Sequence, residues 1–78
     1  MFIPLYKYDD DQETYVKAGV SINIDLIETI KTDRGYPWFK GNDWMYCVSL
    51  KSGVAAGKSG ETLYVAENDA VKAGLISV

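Results

Sequence analysis

The chain contains no histidine and only one cysteine, Cys47. A single thiol cannot form an intramolecular disulfide, and without an imidazole no Cys/His zinc set can be completed. Basic charge is scarce too: eight Lys and Arg stand against eleven Asp and Glu, giving a net charge of −3. The basic residues are dispersed, whereas duplex binding requires a clustered excess to meet phosphates, so double-stranded nucleic acid is excluded as a partner. No apolar run approaches the roughly 18 residues of a membrane span. The opening Met1-Phe2-Ile3-Pro4-Leu5-Tyr6-Lys7 lacks the charged-then-apolar order of a secretion signal, and the chain reads as cytoplasmic with a reduced thiol.

Length is also short. Seventy-eight residues, read as one domain over 1–78, bury only about 60 to 65% of the surface that the unfolded chain would expose. A single core of this size supplies about 3 to 5 kcal/mol, so a homo-oligomer that covers leftover apolar surface is expected. Aromatic residues are plentiful: two Trp, six Tyr and two Phe are many for so small an interior, and some must lie at the surface.

The stretch Trp44-Met45-Tyr46-Cys47-Val48-Ser49-Leu50 favours a pleated backbone throughout. A period of two sends Trp44, Tyr46, Val48 and Leu50 to one face and Met45, Cys47 and Ser49 to the other, and both faces are largely apolar. It predicts a central strand covered on both sides. Phe2 to Tyr8 alternates crudely and contains Pro4, which cannot donate to a ladder, so it predicts an edge strand. Asp9-Asp10-Asp11-Gln12-Glu13 lacks the ligand spacing, the glycine and the final glutamate of an EF-hand loop, and reads as a solvated turn with no metal.

Thr14 to Ala18 predicts a short strand and Gly19 a sharp turn after it. In Val20 to Lys31 a strand period gives way to a three-residue step between Ile27 and Ile30, while Ile22, Leu26 and Ile30 also fit a helix. The β-branched content favours two strands, about 20 to 24 and 28 to 32, joined by a bulge or tight turn at Asp25-Leu26-Ile27. Turns follow at Asp33-Arg34-Gly35 and Gly41-Asn42-Asp43. Between them, Tyr36-Pro37-Trp38-Phe39-Lys40 offers two readings: a surface platform of three rings, or a strand whose Trp38 or Phe39 plugs one end of a barrel.

Gly53 to Ser59 superficially resembles a phosphate-binding loop, but its glycines are one residue too close and a strand follows where a helix is required, so ATP hydrolysis is excluded. It reads as a hairpin loop in which Lys58 and backbone amides are available to an anion. Thr62 to Ala66 predicts a strand pairing with 44–50, with Leu63 and Val65 inward and Thr62, Tyr64 and Ala66 outward. Glu67-Asn68-Asp69 offers a helix N-cap and Gly74 a stop. The apolar Leu75 to Val78 is expected to close the sheet or dock on a second copy. These elements sum to a mainly β fold: a small antiparallel barrel or strongly bent sheet of about five strands with one short C-terminal helix.

Asn23-Ile24-Asp25-Leu26-Ile27-Glu28-Thr29-Ile30 and the later Tyr64-Val65-Ala66-Glu67 resemble the small FlbD-like proteins, in which an Asn-x-Asp-x-Ile-Glu-x-Ile stretch precedes a hairpin and a Tyr-Val-x-Glu segment. The likeness covers about a third of the chain. The aromatic run at Tyr36 to Phe39, the Gly/Ser/Lys loop and the acidic start depart from it. The resemblance implies a compact, strongly bent small sheet and brings no catalytic residues.

Catalysis needs a nucleophile with a base beside it, or carboxylates held in a dry cleft. With no histidine, a strand-centre thiol and carboxylates confined to turns, the chain reads as a binding protein with neither enzymatic activity nor cofactor. Two readings follow. In one, a small inhibitor or adaptor docks on a larger protein through exposed aromatics rimmed by acidic groups, and short acidic chains of this composition are common among phage and mobile-element accessory factors. In the other, an oligomer stacks Tyr36, Trp38 and Phe39 on a small nucleotide whose phosphate meets Arg34, Lys40 or Lys58.

Overall fold

The structure, a computed structural model, describes residues 1–33, 35–53 and 62–77. Its elements are β1 (Phe2–Asp9), β2 (Thr14–Asn23), a single 3-10 turn (Ile24–Leu26), β3 (Ile27–Ile30), β4 (Tyr36–Trp38), β5 (Asp43–Leu50), β6 (Leu63–Ala66) and α1 (Glu67–Lys72). The strands form one antiparallel sheet in the order β2-β1-β6-β5-β3, with β4 also paired to β5. The expected central strand is β5: Met45 faces Ala66 of β6 on one side and Tyr36 of β4 on the other, and Val48 lies between Leu63 and Ile30.

The sheet has six strands and is not closed into a barrel. Among the described residues no ladder joins β2 to β3 or β4. The strands beyond β5 are only three and four residues long, too short to carry the staggered ladder that closure requires. A side-chain contact takes its place. Along the order β2-β1-β6-β5-β4, the outer two strands would stand roughly 19 Å apart in a flat sheet with ~4.8 Å spacing. Yet Trp38 Nε1 of β4 donates a hydrogen bond to Thr14 Oγ1 of β2 at 3.0 Å, so the sheet curls until its far strands meet.

β1 lies between β2 and β6, which corrects the expectation of an edge strand. Pro4 is tolerated there because β6 pairs with β1 only at Tyr6↔Tyr64, leaving Pro4 without a ladder bond to supply on that side. Gly19 makes no turn either, and the segments expected to stop and restart around it are one strand. Lys17 faces Tyr6 and Ser21 faces Pro4, so Ala18, Gly19 and Val20 all stand opposite Leu5. Two surplus residues form a bulge, with Gly19 at φ 82°, and because the surplus is even the side chains on either side keep their faces. Asn23 ends β2, and its Oδ1 accepts the Asp25 N–H at 3.0 Å to start the 3-10 turn. The interruption expected near Asp25 is thus real, and β3 follows at 27–30.

Each face of the sheet carries its own core. On one, Ile3, Leu5, Ile22, Val48, Leu63 and Val65 pack under Ala70 of α1, with Leu75 and Ile76 against them. The helix ends in two bonds, Gly74 N–H to the Val71 carbonyl and Leu75 N–H to the Ala70 carbonyl, with Gly74 at φ 77°. This Schellman arrangement folds Leu75 back onto the core, so Leu75 and Ile76 cover the sheet and add no strand to it, while Val78 lies outside the described residues. At the other end, the N-cap residue is Ala66, whose side chain makes no capping bond, so Glu67-Asn68-Asp69 lie inside the first turn and do not supply the N-cap as expected. On the second face, Tyr6, Tyr15, Met45 and Ala66 are buried beneath Tyr36, Trp38 and Tyr64. Ala66 and Tyr64, expected to face outward, therefore belong to a core. Among the described residues no helix covers this face; the aromatic rings cover it themselves.

Candidate functional site

Tyr36, Pro37 and Trp38 of β4 pair with Met45, Trp44 and Asp43 of β5, and residues 39–42 close the hairpin. The Asn42 N–H reaches the Phe39 carbonyl at 3.3 Å, and Asn42 takes φ 50°, a left-handed conformation that asparagine tolerates well. Alternation does the rest. Tyr36 and Trp38 turn toward the second core, where the Trp38 ring lies 5.3 Å from Tyr6 and Tyr36 meets Tyr64 edge-on at 6.0 Å. Phe39, one residue beyond the strand, is left 88% exposed at the hairpin tip. Gly41 makes this arrangement possible: a Cβ there would come within 2.2 Å of the Trp38 ring, so the turn passes directly over the indole.

The six residues marked by sequence as binding candidates are thus divided. Tyr36 and Trp38 are half-buried structural rings, and they share no flat platform with Phe39. Phe39 and Lys40 remain together at the tip, both exposed. Arg34 and Lys58, with the phosphate-loop-like segment, lie outside the described residues. Sequence reading missed three participants. Trp44, assigned to the strand interior, is 48% exposed, at the start of β5 opposite the exposed Pro37. Its place beside a turn was the available signal. Tyr8 and Glu13 gave no such signal, since only the curl of the sheet brings them to the hairpin. Two shallow concavities flank Phe39: one of about 300 Å3, shared with Tyr8, Glu13 and Lys40, and one of about 190 Å3, shared with Asp43 and Trp44.

Asp43 fixes the base of this tip. One carboxylate oxygen accepts the Trp44 N–H at 2.8 Å and the other the Asn68 N–H at 3.4 Å, linking the hairpin to the start of α1. Nearby, the Tyr46 hydroxyl donates to Glu67 Oε2 at 2.8 Å. Cys47 is half-buried beside Tyr36 and Tyr64. Among the described residues no cluster of acidic and sulfur side chains is arranged to hold a metal, and no helix is long and apolar enough to cross a membrane. A larger concavity near Asp10 and Tyr64 is bounded by Thr62, where the described chain resumes, and no site is built on it.

The tyrosines carry a pH signature of this packing. Burial raises the phenol pKa of Tyr6, Tyr64 and Tyr15, that of Tyr15 to about 12. At Tyr46 the hydrogen bond to Glu67 is the main cause of a rise and burial adds to it. A phenol whose folded pKa exceeds its ordinary value near 10 ionises first in the unfolded chain. The stability these four groups contribute is therefore complete below about pH 10 and lost above it, that of Tyr15 as pH climbs toward about 12. Alkaline titration followed by tyrosinate absorbance and circular dichroism is expected to show part of the phenol ionisation arriving together with unfolding. All six tyrosines ionising near pH 10 with the fold intact would contradict the packing described.

The fold and tip define a class: a small, mainly β protein, its six-stranded antiparallel sheet left open and backed by one short C-terminal helix, presenting an aromatic hairpin. Compared with protein-family models, curated proteins and solved structures, the chain shows no match in any of the three.

Proposed function

We propose that this chain is a non-catalytic binding protein, an inhibitor or adaptor that docks on a larger protein through the β4–β5 hairpin. The observation that carries the reading is Phe39. A ring left 88% in water at the tip of a turn anchored from below by Trp38 and Asp43 adds nothing to the interior, and the anchored turn presents it outward where a partner's pocket can take it. Trp44 beside it supplies a second apolar surface of the kind that dominates interface energetics. The split between Tyr36 and Trp38 inside and Phe39 outside favours this reading over stacking of all three rings on one flat ligand.

The test is a comparison of wild type with Phe39→Ala. The variant is expected to keep its melting temperature, because the ring touches no core, and to bind its partner at least thirtyfold more weakly, about 2 kcal/mol. The partner is recovered from host lysate with the wild-type protein and titrated by calorimetry. Equal affinity for the two proteins would remove the hairpin from the interface.

A further inference from the structure

The Trp38–Thr14 hydrogen bond does more than hold the curl: it sets the β1–β2 turn against the aromatic hairpin, 24 residues away in sequence. That turn carries Asp9, Asp10, Asp11 and Glu13. Asp9 is engaged within the turn, its two oxygens accepting the Asp11 N–H and the Gln12 Nε2 at 2.9 Å each. Asp10, Asp11 and Glu13 are exposed. Glu13 borders the concavity on one side of Phe39 and Asp43 borders the one on the other. Among the described residues, Lys40 is the cation lining these two concavities; with the neighbouring concavity of the acidic turn, which adds Asp9, Asp10, Asp11 and Lys7, five carboxylates stand against two lysines, a net charge of three negatives.

An exposed apolar centre bordered by unbalanced carboxylates specifies its occupant. A second copy of this chain would bring like charges together, and nucleic acid or an anionic bilayer would be repelled. We infer that the hairpin recognises a basic protein surface: an apolar socket for Phe39 and Trp44, edged by Lys or Arg that meet Asp10, Asp11 and Glu13. This rests on the docking function proposed above and adds the chemistry of the partner. Carboxylates at the rim of such a contact act mainly on encounter rate and salt dependence, while the rings hold the complex.

The test uses a panel of short peptides in which each apolar anchor, leucine, isoleucine or phenylalanine, is flanked either by arginines or by glutamates, titrated into the isotopically labelled full chain. The arginine-flanked members are expected to shift the amide resonances of residues 38–44 and 10–14, with an affinity that falls more than tenfold as salt is raised. Phe39→Ser is expected to abolish the shifts. The double variant Asp10→Asn/Asp11→Asn leaves the Asp9 turn bonds in place and is expected to weaken binding at low salt and flatten the salt dependence. Equal binding of glutamate-flanked peptides at the hairpin would overturn the charge assignment while leaving the docking surface standing. Shifts elsewhere, or none across the panel, would overturn both. Concentration-dependent shifts of residues 38–44 without peptide would identify a second copy as the occupant and overturn the inference.

Discussion

Trp38→Ala is expected to destabilise the protein by about 2 to 4 kcal/mol, most of the stability that a single core of this size supplies. The indole does three things at once. It covers Met45 and Ala66 in the second core, stacks at an angle against Tyr6, and donates the hydrogen bond that brings β4 to β2. Removing it opens a cavity and releases the Trp38–Thr14 bond between the two outer strands, so the loss exceeds that of an exposed ring. Phe39→Ala, one residue away, is expected to fall within ~0.5 kcal/mol of wild type, as surface substitutions do. Gly41→Ala should reproduce part of the Trp38 effect, about 1 to 3 kcal/mol, because its methyl would occupy space held by the indole. Urea unfolding followed by tryptophan fluorescence measures all three. Identical midpoints for wild type and Trp38→Ala would show that the sheet keeps its curl without this contact.

Met45→Ala is expected to cost about 2 to 5 kcal/mol, enough to leave the variant substantially unfolded at 37 °C. Met45 is fully buried, paired to Tyr36 on one side and Ala66 on the other, in the core of the second face, which does not contain Ala70 of α1. Were that face only a layer of rings over a single core on the helix side, the substitution would be mild. A cost as large as that of Leu5→Ala, equally buried beneath the other face, is the expected outcome, since β5 has an interior on each side. A thermal scan reads the comparison directly: each kcal/mol moves the melting temperature of a domain this size by about 4 to 8 °C. A loss below ~1 kcal/mol for Met45→Ala would reduce the second core to surface packing.

The two experiments also separate roles that the sequence had merged. Tyr36, Trp38 and Phe39 form one aromatic run, and composition offers no way to rank them. The two-residue period offers a way only once the strand is known to end at Trp38, because there the alternation stops and Phe39 is released into the turn. Gly41 likewise looks like an ordinary turn glycine. Its φ is not the reason for its small size; the Trp38 ring beneath it is.

Local chemistry was enough for much of the fold. The near-continuous apolar content of residues 44–50 predicts a strand with two covered faces, and β5 is that strand because such a side-chain set can be buried only between layers. The break near Asp25, the turn at Asp9 to Glu13 and the stop at Gly74 follow from Asx side chains and glycine acting on their own backbone, over a few residues. Errors arose where the deciding partner lay elsewhere. Pro4 reads as an edge residue unless β6 is known to meet β1 at one residue, and Gly19 reads as a turn unless its surplus is absorbed opposite Leu5. The open sheet, the choice of side chains that fill each core and the meeting of the acidic turn with the aromatic hairpin are decided by register and curl. Those are properties of how strands pair across the whole chain, and no single segment encodes them.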